Sequence, residues 1–364
     1  MIVVAKLGTS SLTDELGIVD EAAIGKHCAE VAAARAAGHQ VVIVTSGAIA
    51  AGLPPLGLGG DQRPKDAVTL QALSAVGQSR LMRVFDDLLA SHGLVGGQIL
   101  LAPLDFGVRR QYLHARATIQ RMLELGVVPV VNENDAIADD EIRFGDNDRL
   151  SALVAHLIGA DVLVLLTDTP GLLTADPRID DSASLIEEIV EFDHAVEAAA
   201  GGAGSVRGSG GMASKVAAAK MAAWSGVRAV IASATREDVL RDAIAGAPGV
   251  GTVVTPRDRH LPARKLWIAF AVGASGVVEV DDGARRALVE RNTSLLPAGV
   301  IAVKGSFEAD DAVELAGPDG VVFAKGIVRL SARSLERLAG RQTADLPEGT
   351  AHEVVHKDDL VVLP

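Results

Sequence analysis

Val-rich apolar runs alternate with Ala-rich segments of helical period over the first two thirds of this 364-residue chain. That alternation is the pattern of βαβ units wound around a parallel sheet. The runs Ile2 to Lys6, Gln40 to Thr45, Gly97 to Leu101, Val127 to Asn132, Val162 to Thr167 and Ala229 to Ile231 predict strands. Each is almost continuously apolar, so both faces of the sheet must be covered. Helices are predicted between them, among them Glu21 to Ala37, where Ile24, Cys28, Val31 and Ala32 share a face, and Ala67 to Ser91. The expected fold is α/β, a three-layer α/β/α sandwich with a mostly parallel central sheet. Aromatic residues are only 3% of the chain, so Ala, Val, Leu and Ile must build the core.

The texture changes after Thr255. A polar, proline-bracketed stretch from Pro256 to Lys265 precedes the apolar Trp267 to Val272, and from Val277 short strands with close-set turn signals replace the long helices. The expected organisation is a first domain over 1–255, a linker over 256–276 and a small, mostly-β domain over 277–364. Two domains also suit a length beyond what one core usually fills.

Charge and cysteine content exclude several classes. The formal net charge is -13, which argues against nonspecific nucleic-acid binding through bulk charge. Cys28 is the chain's only cysteine, which excludes an intramolecular disulfide and a thiolate-rich zinc site, and predicts a reducing, cytoplasmic setting. The apolar start Met1 to Lys6 is too short for a secretory signal. The uncharged stretch Gln40 to Gly60 carries Thr45, Ser46, Pro54, Pro55 and many glycines, so it reads as a strand, a tight turn and a loop rather than a membrane span.

Ligands of open parallel sheets bind outside the carboxyl ends of the strands, and here those ends are polar and glycine-rich. The first strand ends in Lys6-Leu-Gly-Thr-Ser10, the second in Thr45-Ser-Gly-Ala48, the fourth in Asn132-Glu-Asn-Asp135 and the fifth in Thr167-Asp168. Phe144-Gly-Asp-Asn-Asp148 opens a predicted helix from Arg149, and Gly208-Ser-Gly-Gly-Met-Ala-Ser-Lys215 opens another from Val216. Glycines admit an anion to backbone N–H groups, a helix N-terminus adds partial positive charge and Lys215 a full one, which is a phosphate-binding construction. It is not a Walker A loop, because Ser214 precedes Lys215 and Val216 follows it. Lys6 and Lys215 could converge on a transferring phosphoryl group, a reaction that requires mainly positioning and charge neutralisation.

Asp135, Asp146 and Asp148, with Asn132, Asn134 and Asn147, form an acid-amide set able to bind an ammonium group and to orient the lysines. Each also has an ordinary structural reading, since Asp and Asn are common in turns and at helix starts. His352 and His356 are four apart but lack the Glu of HExxH and read as surface residues.

Lys6-Leu-Gly-Thr-Ser10, Val44-Thr-Ser-Gly-Ala-Ile-Ala-Ala-Gly52, Val131-Asn-Glu-Asn-Asp-Ala136, Gly145-Asp-Asn-Asp148, Leu166-Thr-Asp168 with Gly171-Leu, and Gly210-Gly-Met212 with Lys215, taken in order, resemble the glutamate 5-kinase family of the amino acid kinase fold. The segment 277–364 resembles the PUA domain of that family's long form. The resemblance implies that ATP donates its γ-phosphoryl group to the side-chain carboxylate of L-glutamate. Position by position, it implies that Lys6 and Lys215 stabilise the transferring group and Asp148 orients them. It places glutamate on Ser46, Asp135 and Asn147, and ATP on Lys6, Thr167, Asp168, Ser209, Gly210, Gly211, Met212, Ala213, Ser214 and Lys215. Magnesium would be held by nucleotide phosphates and water, with no metal ligand assigned to the protein.

The same resemblance implies a homo-oligomer, dimer or tetramer, and transfer of the labile acyl phosphate to glutamyl-phosphate reductase. Ser209 stands where the family often has Thr, and Arg143 where it often has Lys. The Lys-Phe-Gly-Gly-Thr-Ser start that aspartokinases share is absent. PUA domains bind RNA in modification enzymes, but residues 277–364 hold ten Lys and Arg against fifteen Asp and Glu, the wrong sign for a phosphate backbone, so packing, assembly or regulation is the expected role.

Overall fold

The Val-rich runs become strands because β-branched side chains suit a pleated surface covered on both sides. The computed structural model describes residues 1–14, 16–58, 64–137, 147–177, 180, 182–201, 211–257, 261–342, 345 and 352–363. They divide into two units, Met1–Leu261 and Pro262–Pro364.

In the first unit, β1 (Ile2–Leu7), β2 (Gln40–Val44), β3 (Gly96–Leu101), β4 (Val128–Glu133), β5 (Val162–Thr167), β6 (Glu188–Ile189), β7 (Arg228–Ser233) and β8 (Thr252–Val254) form one sheet in the order β3-β4-β2-β1-β5-β7-β8-β6. All pairings are parallel except β7 with β8. The chain builds outward from β1 on one side, then crosses to β5 on the other, so the switch point of the sheet lies between β1 and β5. Strands β6 and β8 were not among the predicted ones: two and three residues are too few to carry a period.

The helices are α1 (Glu21–Ala36), α2 (Ala48–Gly52), α3 (Ala67–Ser91), α4 (Pro103–Gly107), α5 (Arg109–Glu124), α6 (Asn147–Ile158), α7 (His194–Ala200), α8 (Met212–Trp224) and α9 (Val239–Ala245). Helices α1, α3 and α9 cover one face of the sheet, and α5, α6 and α8 cover the other. Alternate residues of each strand serve the two layers. Val3, Ala5 and Leu7 join Ile43, Val130 and Val164 in the core beneath α1 and α3, which leaves Val4 and Lys6 to the α6 side. Helix α8 begins at Met212, four residues before the predicted start at Val216, with Gly211 as its N-cap; Lys215 therefore belongs to the first turn rather than to the loop before it.

Two glycines set how α2 meets its neighbours. Gly47, between β2 and α2, has φ +98°, a left-handed conformation that side chains strain to adopt. Gly77, inside α3, lies so close to α2 that a Cβ there would sit 1.8 Å from the Ala48 carbonyl oxygen. The second unit has a sheet of order β10-β9-β11-β12-β13, with β9 (Gly276–Val280), β10 (Val300–Gly305), β11 (Ala312–Ala316), β12 (Val322–Val328) and β13 (Val355–Val362). Only β9 and β11 pair parallel. Val278, Val313, Leu315, Phe323, Leu335 and Leu360 are central to its own core.

Gly77→Ala should destabilise the chain by about 3 kcal/mol, because backbone must move to admit the methyl group. An unchanged urea midpoint would rule out the α2–α3 contact. Burial, with Lys26 beside it, pushes His27 of α1 down to about 4. A base with a depressed folded pKa is protonated first in the unfolded chain, so stability falls as pH drops from about 6.5 towards 4. That window should be worth about 3 kcal/mol in urea melts and should flatten in His27→Leu.

Candidate active site

Three charged side chains meet over the switch point. Lys6 Nζ is 2.5 Å from Asp148 Oδ1, and Lys215 Nζ is 3.1 Å from Asp148 Oδ2. Lys6 is near the end of β1, on the face that alternation turns toward α6; Asp148 and Lys215 lie in the first turns of α6 and α8, which pack together. Their exposures are 3%, 0% and 6%, so water screens the charges little. Burial pushes the Asp148 carboxyl up, but Lys6 and Lys215, with hydrogen bonds from Lys6 and Ser214, more than offset it and hold the group below the usual carboxylate range. Two ammonium groups face one carboxylate, so the triad keeps one net positive charge. A positive cluster beside the N-terminus of α8 can receive a phosphate.

Ser214, assigned to ATP by the resemblance, also touches the carboxylate: its Oγ is 2.8 Å from Asp148 Oδ2 and 2.8 Å from the Gly211 carbonyl. Gly8 lies beside Lys6, where a Cβ would make an ordinary van der Waals contact with Nζ at 3.7 Å. Thr167 ends β5, buried, and its Oγ1 donates to exposed Asp168 at 3.1 Å. Gly211, Met212, Ala213, Ser214 and Lys215 form the N-cap and first turn of α8. Ser209, Gly210, Arg143 and Asp146 lie outside the described residues.

Asn147, immediately before Asp148, faces a different set of partners. Its Nδ2 donates to the Thr45 carbonyl at 2.5 Å and to Asn132 Oδ1 at 2.6 Å. Asn132 Oδ1 also accepts from the Glu133 backbone N–H at 2.9 Å, and Asn132 Nδ2 donates to Gln78 Oε1 at 2.7 Å. Ser74, one turn before Gln78, donates to Asp135 Oδ2 at 3.4 Å. Ser74, Gln78, Glu133, Asn134 and Asp135 line a cavity of about 280 Å³ together with Gln98. Ser46 is half-buried in the turn between β2 and α2.

The two lysines, Asp148, Asn132, Asn147 and Asp135 therefore gather at neighbouring strand and helix ends. Sequence reading missed Ser74 and Gln78. The signal was available: with Leu81 and Phe85 they repeat at helical spacing, so two polar residues stand on the buried stripe of α3.

The chain matches the amino acid kinase family over residues 1–233 and the PUA domain over residues 276–349. It is 43% identical to the glutamate 5-kinase of Pelobacter propionicus, covering 99% of this chain and 97% of that one. It is 44% identical to the glutamate 5-kinase of Mycobacterium avium, covering 99% and 96%. Among solved structures it is similar to carbamate kinase from Giardia lamblia bound to AMP-PNP, with TM-score 0.50, 16% identity and coverage of 70% and 98%. It is likewise similar to the T. acidophilum isopentenyl phosphate kinase product complex, with TM-score 0.50, 18% identity and coverage of 70% and 100%. At such identities these structures share the fold.

Replacing Asp148 by Asn would leave two buried ammonium groups without their counter-charge. Asp148→Asn should lower stability at pH 7 by about 3–5 kcal/mol, and added inorganic phosphate should recover more of the lost thermal stability than it adds to the unaltered chain. Equal melting temperatures without phosphate would contradict the buried ion pairs.

Proposed function

The chain belongs to the amino acid kinase family, and on that premise we propose that it transfers the γ-phosphoryl group of ATP to the side-chain carboxylate of L-glutamate. The product is L-glutamyl 5-phosphate, made in the first step of proline biosynthesis. The observation that carries the reading is the buried Lys6–Asp148–Lys215 triad, with an amide and carboxylate cluster beside it, in a chain that aligns along its whole length with glutamate 5-kinases.

The acceptor needs no general base. A glutamate side chain has a pKa near 4.3 and is ionised at pH 7, so its oxygen is already nucleophilic. That oxygen bonds to the γ-phosphorus while the bond to the β–γ bridging oxygen breaks, and ADP leaves with the electron pair. Charge on the transferring oxygens is met by the Lys6 and Lys215 ammonium groups. Asp148 keeps the two lysines from repelling each other out of place. Backbone N–H groups from Gly211 to Lys215 and the N-terminus of α8 add partial positive charge.

In this reading Thr167, Asp168 and the segment Ser209 to Lys215 hold ATP. Ser46, Asp135 and Asn147 hold glutamate, the Asp135 carboxylate meeting its ammonium group. A magnesium ion in this reading is carried on nucleotide phosphates and water. Magnesium would neutralise phosphate charge there.

The chain acts in the cytoplasm as a homo-oligomer, and its labile product passes to glutamyl-phosphate reductase. The cytoplasmic setting rests on the chain's single cysteine, Cys28, which leaves no intramolecular disulfide to form. No helix of the described residues is long and apolar enough to cross a membrane. The acidic balance of the PUA domain favours a packing or regulatory part over RNA binding.

ATP-dependent acyl phosphate, trapped with hydroxylamine, should form from L-glutamate and not from aspartate or acetylglutamate; no product from glutamate would overturn the proposal. Lys215→Ala should reduce kcat by about 10²–10³-fold, on the scale of losing one transition-state charge contact. Asp135→Ala should raise KM for glutamate by about tenfold or more, from loss of a charged hydrogen bond, with KM for ATP unchanged.

A further inference from the structure

We propose that Gln78, on α3, is a positioning residue that, together with the Thr45 carbonyl and the Glu133 N–H, holds the Asn147 amide with its oxygen toward the substrate. The inference rests on Asn147 binding glutamate, as read above. An amide side chain can present either its oxygen or its nitrogen, and only its other partners decide which. Here both decisions are anchored in the backbone. The Thr45 carbonyl can only accept, so Asn147 must turn Nδ2 to it. The Glu133 N–H can only donate, so Asn132 must turn Oδ1 to it. Asn147 Nδ2 then donates its second hydrogen to Asn132 Oδ1, and both of its hydrogens are used.

What remains of Asn147 for a ligand is its carbonyl oxygen, an acceptor suited to an ammonium N–H and unsuited to a carboxylate. The arrangement needs an acceptor for the leftover Asn132 Nδ2 hydrogens in a buried place, and Gln78 Oε1 provides it at 2.7 Å. Gln78 is 92% buried by its 8% exposure, and its own Nε2 has no hydrogen-bond partner among the described residues although the side chain lines the acid-rich cavity. A buried donor left over at the end of the row is tolerated. Reversing Gln78 would satisfy nothing more and would set Nε2 against Nδ2 of Asn132. The row Gln78–Asn132–Asn147 is thus directional, held at Thr45 and Glu133, with its polarity completed by α3.

The consequence is selectivity for an acceptor bearing an α-ammonium group. Removing the acceptor at position 78 orphans Asn132 Nδ2 in the interior, which favours rotation of Asn132 and leaves only the Thr45 carbonyl to hold Asn147 in place. Gln78→Met keeps length and flexibility but has no acceptor; Gln78→Glu keeps an acceptor oxygen toward Asn132 whether ionised or protonated. The test measures KM for L-glutamate, KM for ATP, and inhibition by glutarate, which has the two carboxylates and no ammonium group. Gln78→Met is expected to raise KM for glutamate about tenfold, with KM for ATP and the glutarate inhibition constant within about twofold of the unaltered protein. Gln78→Glu is expected to stay within about threefold for all three.

Equal losses in both variants would overturn the inference, because Nε2 would then be the working atom. Equal shifts in glutamate and glutarate would overturn it too, since the relay would not be reading the ammonium group. A Gln78→Met protein that loses melting temperature but keeps its KM for glutamate would reduce Gln78 to a packing role. None of these outcomes touches the reaction itself, which fails only if the unaltered protein makes no acyl phosphate from glutamate.

Discussion

A buried carboxylate holding two ammonium groups is the interaction on which the rest depends. Burial at zero exposure disfavours a lone Asp148 carboxylate, and the Lys6 and Lys215 ammonium groups beside it more than offset that cost. Each requires the others, and they come from a strand end, one helix start and a second helix start. The sheet order brings these three ends together, so fold and site are one problem. An excess of one positive charge, held away from water, makes the place receptive to phosphate.

Helix α6 divides two tasks between consecutive residues. Asp148 turns to the lysines and Asn147 turns to the amides and the Thr45 carbonyl. Neighbours at the start of a helix point about 100° apart, so one short segment reaches both the lysine pair and the amide cluster. The burial of nearly all of α6 limits how far either residue can move. Precision comes from packing and from hydrogen bonds that leave each group one orientation.

Carbamate kinase and isopentenyl phosphate kinase structures share the scaffold at 16% and 18% identity. Scaffold likeness at that level says nothing of the acceptor. Under the proposed function the acceptor would meet residues at the ends of β2 and β4 and on α3. The PUA domain has its own core and its own sheet, and its sequence carries a net negative charge.

Much was legible in the linear order of residues. Val-rich runs and Ala-rich helical segments specify a covered parallel sheet, and glycines, amides, acids and lysines at strand ends mark its working edge, because period and turn chemistry are local properties. The short strands Glu188–Ile189 and Thr252–Val254 were not legible, since two or three residues have no period and depend on the neighbour they pair with. The start of α8 at Met212 was missed because Gly211 can either end a loop or cap a helix. Ser74 and Gln78 are 61 and 54 residues from Asp135 and Asn132, and only the lie of α3 across the sheet brings them together. By itself the sequence determined which residue types stand at the carboxyl ends of the strands. The tertiary structure decided which of them touch, and which way each amide points, because hydrogen bonds and ion pairs depend on distances across the chain that no local pattern encodes.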